Sequence, residues 1–399
     1  MNSEKRCPGC FSLLDGSKEC VCGFQAEEQS PLALPPLTLL NEQYQVGRVL
    51  GKPGGFGITY LGWDIRLEAL VAIKEYLPRD LAGRTNNQIT VSPYSKEDRD
   101  NFRYGLEQFL GEARILARFD HPNIVRVRSF FEQNGTAYLV MDYLKGSNLA
   151  EYIADAGGWI GEEAAITIMT PVLDGLREIH SKGILHRDIK PQNIYLTETG
   201  RPILLDFGAA RQAMSERSQS LSIIYTAGFA PFEQYHKKGY LGPWTDIYAC
   251  AATLYFLVTG RPPVDAFERA GNDDLPAPYA VNSAISQSFS DVIMQGLAVR
   301  PEDRPQDVFL FLEMLAGKEK TTKKPDKAVL SGTKTKNVAN QADHGNSDSA
   351  GVKTQAGFWS RNMKIAACAA ILLMMMGGFG LFWRQHNSTG SIAFADGRN

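Results

Sequence analysis

Four stretches of this sequence carry side chains suited to one kind of chemistry, the handling of a polyphosphate with a divalent cation. Gly51-Lys52-Pro53-Gly54-Gly55-Phe56-Gly57 is rich in the residue that lets a backbone approach phosphate oxygens, its N–H groups serving as donors. Alone, it reads equally well as a flexible hairpin. Lys74 closes the apolar run Val71-Ala72-Ile73, which argues against a plain surface lysine and sets an ammonium at the end of a strand. His186-Arg187-Asp188-Ile189-Lys190-Pro191-Gln192-Asn193 and Asp206-Phe207-Gly208 add carboxylates, a second cation and an amide. Asn193 and Asp206 offer hard oxygens of the kind Mg2+ takes. Any one of these acids could be a solvated loop carboxylate; their order and spacing make them a set. Phosphoryl transfer asks little covalent help of a protein, only a positioned polyphosphate, metal between its oxygens and an oriented hydroxyl.

A second cluster has different chemistry. Cys7-Pro8-Gly9-Cys10 is followed, nine residues on, by Cys20-Val21-Cys22-Gly23. Four thiolates in so short a segment satisfy tetrahedral Zn2+, and a segment of this size needs such a staple to fold. Two disulfides or four free thiols are the alternatives; a reducing cytoplasm favours metal. The second pair is spaced C-x-C, where a small zinc ribbon has C-x-x-C.

The elements that must position these residues follow from hydrophobic patterning. The chain has 399 residues, 44% hydrophobic and 22% charged, which supports two or three folded units and excludes wholesale disorder. Segments such as YQVGRVL, GITYLGW, ALVAIKEY and TAYLVMDYL are β-branched and aromatic and read as strands. Residues 102–119, 162–181, 244–259, 288–298 and 306–316 have helical periodicity. A strand-rich part followed by a helix-rich part is an α+β, two-lobed architecture. Residues 76–98 are expected as an extra loop beside the first helix.

Taken together, the motifs resemble those of the eukaryotic-like (Hanks-type) serine/threonine protein kinases, and closely those of bacterial membrane-anchored members. The resemblance covers residues 44–316, with an N-lobe of 44–144 and a C-lobe of 145–316. It implies the two-lobed protein kinase fold and ATP with Mg2+ (or Mn2+) as cofactors. Leu50, Gly51, Gly54, Gly55, Phe56, Gly57 and Thr59 would then roof the nucleotide, and Lys74 would meet its α- and β-phosphates. Asp188 would orient the substrate hydroxyl, Lys190 would neutralise the transferring phosphoryl group, and Asn193 and Asp206 would hold the metal. Lys190, two residues after Asp188, implies Ser/Thr rather than Tyr substrates. The hinge is Met141-Asp142-Tyr143-Leu144, with Met141 as gatekeeper and the backbone of Asp142 and Leu144 on the base. Ala72 covers the base from above and Tyr195 from below. Lys74 needs a carboxylate from the first long helix. Glu112 shares a face with Phe109, Ile115 and Leu116 and is favoured over Glu107.

Residues 209–232 resemble an activation loop, with Ser218, Ser220 and Ser222 as autophosphorylation candidates and Thr226 bonding back to the catalytic residues. Arg187 could pair with a phosphate there. Glu233 and Arg304 should form a buried ion pair, and Asp246 should anchor the catalytic loop. The glycine loop departs from the family pattern by one inserted residue, Pro53, which has no N–H to give.

The flanks complete the organisation. Residues 1–30 form the zinc-ribbon-like segment and 31–43 a Pro-containing linker. Residues 317–363 are Lys-, Ser- and Thr-rich and read as a disordered basic linker. Residues 364–383 then hold a charge-free run of 19 residues from Ile365 to Trp383, close to the roughly 20 that a membrane span needs. Residues 384–399 would be a short external tail. The segment 318–364 carries a net charge of +6, which puts the kinase domain on the cytoplasmic side of a single-pass inner-membrane protein. No apolar run follows Met1, so no signal peptide is expected. The near-neutral total of −2 argues against nucleic acid as a partner. Expected partners are proteins phosphorylated on Ser/Thr and a second copy, for trans-autophosphorylation. The competing reading is a catalytically weak kinase-fold scaffold that recruits partners through the zinc ribbon.

Overall fold

The computed structural model describes residues 5–14, 20–51, 55–206, 227–235 and 239–317. The chain divides into two units, Met1–Lys323 and Lys324–Asn399, and every described residue lies in the first. The run at 364–383, the basic linker from 318, the external tail and the activation-loop serines fall outside the described residues, as do Gly54 and Thr226. Among the described residues, no helix is long and apolar enough to cross a membrane.

The first part of the unit is a six-stranded antiparallel sheet. Its strands are β1 (Leu39–Leu40), β2 (Tyr44–Val49), β3 (Gly57–Asp64) and β4 (Ala69–Tyr76), and, after an interruption, β7 (Val127–Gln133) and β8 (Thr136–Asp142), in the order β1-β2-β3-β4-β8-β7. β4 is central, flanked by β3 and β8, and its core-facing Val71 and Ile73 are fully buried. The register sets Ala72 beside Met141 and Lys74 opposite both Thr59 and Leu139.

Two elements interrupt the sheet between β4 and β7. β5 (Ala82–Arg84) and β6 (Val91–Pro93) pair as an antiparallel hairpin, so the expected loop contains ordered structure. The Asn87 side chain closes its tip by accepting from the N–H groups of Ile89 and Thr90, at 2.9 and 2.8 Å. Helix α1 (Lys96–Leu116) follows, begun by Ser95, whose hydroxyl accepts from the Asp98 N–H. That cap starts the helix six residues before the first apolar repeat at Phe102. Phe102, Phe109, Leu110, Ala113 and Leu116 form its buried face, each large side chain stabilising the fold by about 1.5–3 kcal/mol.

The second part is mainly helical. β9 (Gly146–Asn148), α2 (Leu149–Asp155) and α3 (Glu162–Ser181) lead to the hairpin of β10 (Ile194–Thr197) and β11 (Pro202–Leu204), which forms a small sheet with β9. Helix α4 (Pro243–Thr259) is apolar on nearly every side and is therefore buried through the centre. Pro243 opens it, and Gly260, at φ +75°, closes it in the left-handed conformation that favours glycine. Around it lie α5 (Ala266–Arg269), α6 (Pro278–Val281), α7 (Gln287–Gly296) and α8 (Val308–Leu315), with α3 packed on both α4 and α8.

Candidate active site

Lys74 and Asp206 meet in the cleft between the strand-rich and helix-rich parts, Nζ lying 2.7 Å from Oδ1. Burial works against both charges, and each ion overcomes it for the other. Lys74 is held above the usual lysine value by Asp206 and then Glu112; Asp206 is held below the usual carboxylate value chiefly by Lys74. Glu112 is buried on the inner face of α1, whereas Glu107 is exposed and pairs with Arg103 along the helix.

The roof over this pair is built from the ends of β2 and β3. Leu50 donates its N–H to Thr59 O at 2.7 Å, and Gly51 turns in the left-handed region at φ +65°. The carbonyls of Gly55 and Phe56 accept from the N–H groups of Arg79 and Leu77, at 3.1 and 3.0 Å, so the pairing of β3 and β4 runs on into the loop. A side chain at Gly57 would lie 2.3 Å from Glu75 O, so only glycine fits there.

The floor is the segment between α3 and β10. Asn193 donates from Nδ2 to the carbonyl of Asp188 at 2.8 Å and to its Oδ2 at 2.6 Å, while Lys190 Nζ lies 3.2 Å from Asp188 Oδ1. The Asp188 carboxylate is thus held on both oxygens. Arg187 just before it sits at φ +64°, an uncommon conformation for a non-glycine residue. Asp246, fully buried on α4, over-determines that conformation. Its carboxylate accepts from the N–H groups of His186 (2.9 Å) and Arg187 (2.7 Å) and meets His180 Nε2 at 2.8 Å. Gln234 adds a fourth tie, donating to Arg187 O at 2.9 Å. The Glu233 carboxylate and the Arg304 guanidinium, both buried, join at 2.7 and 3.1 Å.

Between roof and floor, the hinge residues continue β8. The Asp142 N–H donates to Arg126 O at 3.0 Å and its carboxylate pairs with Arg128 at 2.6 Å. The Tyr195 hydroxyl sits 2.7 Å from Gly146 O, which sets its ring below Leu144.

The four cysteine sulfurs gather into one cluster, all within 4.8 Å of one another, with Cys7–Cys22 and Cys10–Cys20 each at 3.5 Å. Those separations exceed the roughly 2.05 Å of a disulfide. They approach the ~3.8 Å between sulfurs that Zn–S bonds of about 2.3 Å impose in a tetrahedron. The Gly9 N–H donates to Cys7 Sγ at 3.3 Å, a knuckle that stabilises a thiolate. Burial pushes the Cys7 thiol up to about 12; at Cys10 burial also acts upward, but hydrogen bonding with Ser12, Cys20 and Cys22 outweighs it and brings the thiol down to about 7. The donor set fits Zn2+.

Sequence reading missed a second buried charge centre. Glu75, next to Lys74, is completely buried and accepts from Tyr60 Oη (2.8 Å), Tyr138 Oη (3.0 Å) and the Arg84 guanidinium of the β5–β6 hairpin. The available signal was a carboxylate at a core-facing position of a central strand.

Comparison with known proteins agrees with this geometry. The protein kinase domain family model matches residues 44–317. Serine/threonine-protein kinase B of a Synechocystis strain is 31% identical over 293 residues, covering 69% of this chain and 47% of that protein. PknB of Mycobacterium leprae is 32% identical over 280 residues, covering 67% and 41%. The chain spans about half or less of the length of such relatives. Among solved structures, the apo form of PpkA-294 superposes with a TM-score of 0.67 at 36% identity, covering 71% of this chain and 99% of that one.

Proposed function

This chain belongs to the protein kinase family, and we propose that it transfers the γ-phosphate of ATP to serine and threonine hydroxyls of proteins. The observation that carries the reading is the convergence of Lys74, Asp206, Asp188, Lys190 and Asn193 on one cleft. Asp188, held on both oxygens, accepts the proton of the incoming hydroxyl and aims its oxygen at phosphorus. Lys190 offsets the negative charge that gathers on the transferring group. Lys74, paired with Asp206 and with the Glu112 charge adding to its stabilisation, meets the α- and β-phosphates. Asn193 and Asp206 would hold Mg2+ or Mn2+, which would supply positive charge against that of the phosphates. Because the Asp142 N–H is committed to Arg126, Asp142 reaches adenine through its carbonyl, with Leu144 beside it and Ala72 and Tyr195 enclosing the base.

Zn2+ at Cys7, Cys10, Cys20 and Cys22 is part of this reading, supported by the sulfur spacing. So are a cytoplasmic-side kinase domain, a single-pass inner-membrane anchor at 364–383, autophosphorylation of the 209–232 segment and a homodimer that would perform it, all supported by sequence alone.

The test incubates the full chain and its Asp188→Ala variant with ATP, Mg2+ and a generic basic protein, then maps phosphate by mass spectrometry. Phosphoserine or phosphothreonine with the unchanged chain only is the expected result. Folded, ATP-binding chain that yields none would turn the reading to a scaffold that recruits partners through its zinc ribbon.

A further inference from the structure

We propose that the metal held by Cys7, Cys10, Cys20 and Cys22 sets the end of β2 at Arg48–Gly51, and that nucleotide affinity therefore depends on the metal. The inference rests on the zinc reading above and adds a regulatory role to it.

β2 is the strand that carries the chain into the roof of the nucleotide cleft. One edge pairs with β3. The other would be a row of unpaired backbone groups, and the N-terminal segment completes it along its length. β1 pairs with Tyr44 and Gln45. Val46 donates to Thr38 O at 2.9 Å and accepts from the Leu37 N–H at 2.7 Å. The register with β3 shifts between Val46 and Val49, and within and at the end of that stretch two more N–H groups turn outward. Arg48 donates to Pro8 O at 3.0 Å, and Val49 donates to Gln29 Oε1 at 2.8 Å. Pro8 lies inside the Cys7–Cys10 knuckle. The last hydrogen bonds before Leu50 and Gly51 are therefore supplied by the cysteine segment.

The docking is close and apolar. A side chain at Gly47 would lie 2.4 Å from Pro8 O and 2.7 Å from the Phe11 ring, so this position has no room for one. Phe11 is 2% exposed and stacks on Trp63 of β3, ring centroids 6.0 Å apart. The Arg6 guanidinium lies 4.2 Å over the same Trp63 ring and donates to Phe11 O at 3.1 Å. The knuckle thus grips β2 and β3 together, on the strands whose ends form the roof.

Residues 5–30 are too few to hold Pro8 and Gln29 in place through a core of their own. The metal is what would order them. Without it the segment regains chain entropy, the caps on Arg48 and Val49 are lost, and the end of β2 frays. Linkage then requires the converse: bound nucleotide, by ordering the end of β2, retains the metal more tightly.

The experiment uses the full chain. Zinc content is measured by plasma mass spectrometry, ATP affinity by calorimetry, and zinc release to a colorimetric chelator with and without ATP. One zinc per chain is expected. Stripping it should weaken ATP binding about fivefold or more, adding Zn2+ back should restore it, and ATP should slow zinc release. Gly47→Ala, which leaves all four ligands intact, should keep the zinc and weaken ATP binding comparably, with little further loss on stripping. Bound zinc whose removal leaves ATP affinity unchanged would overturn the coupling and leave the zinc reading standing. A chain purified without zinc, and taking none up, would overturn both. A chain that shows the coupling yet transfers no phosphate would sink the catalytic reading and leave this one intact.

Discussion

Lys74 Nζ and Asp206 Oδ1 lie 2.7 Å apart, an ion pair that joins a central strand of the sheet to the segment after β11. Each charge is the other's first partner, so removing either leaves its partner less well compensated. Lys74→Met should therefore lower kcat/KM by about 100-fold or more, the scale of losing one electrostatic contact to the transition state. Lys74→Arg should not recover it, because a planar fork replaces a compact ammonium where Asp206 and Glu112 converge. Steady-state kinetics on a generic basic substrate provide the check; near-normal turnover in Lys74→Met would refute the assigned role.

Glu233 and Arg304 make a buried two-point pair, and Arg304 also donates to the carbonyls of Ala298 and Val299. Arg304→Leu leaves a carboxylate in the core and should destabilise the fold by about 3–5 kcal/mol. Adding Glu233→Gln should return part of that loss, since a neutral amide needs less compensation. The urea midpoints of the wild type, the single variants and the double variant decide the point; additive losses would show that the pair is not coupled.

The kinase motifs were legible because each is local. The Val-Ala-Ile-Lys run, the catalytic loop and Asp206 can be read without knowing what packs on them; the long-range Asp246 and Glu233–Arg304 contacts were expected only because the motifs resemble the family. The α+β two-lobed fold followed from strand-like and helical periodicities that stay separate along the chain. What escaped was non-local. Phe11 meets Trp63, and Glu75 gathers Tyr60, Arg84 and Tyr138, across separations that leave no period to read. The segment 76–98 looked like a loop because its strands are three residues each. The C-x-C pair departs from the C-x-x-C spacing of a zinc ribbon, yet its sulfurs close on Cys7 and Cys10 because Cys20 and Cys22 come from one tight turn.

Asp246 gives the fold an acid limit. Burial alone would raise its pKa; the His180 hydrogen bond and neighbouring charges, with the Arg187 amide, hold it below the usual value. A depressed folded value contributes stability that is complete above the unfolded pKa of about 3.9 and is lost as pH falls through the folded one. The urea midpoint of the wild type should fall steeply below about pH 4. Asp246→Asn should start lower at neutral pH and lose less over the same interval. Parallel profiles for the two chains would remove Asp246 as a source of the acid sensitivity.

Arg84 is the sole cation bonded to Glu75 among the described residues, and it ties the β5–β6 hairpin and the linker to β4 by donating to Ile89 O at 2.9 Å and Leu32 O at 2.6 Å. The Tyr60 and Tyr138 hydroxyls have raised pKa values through burial, with the Glu75 charge adding to it, so they remain donors at physiological pH. Two hydroxyls do not neutralise a carboxylate. Arg84→Met should cost about 3–5 kcal/mol, more than a surface arginine would. The loss should be concentrated where the hairpin meets the sheet, with faster amide exchange at Ala82–Arg84, Val91 and Ser92 than in α4. Combining it with Glu75→Gln should restore much of the stability, because the buried charge is then gone. If Arg84→Met unfolds at the wild-type urea midpoint, the centre is solvated and the hairpin is not held by it.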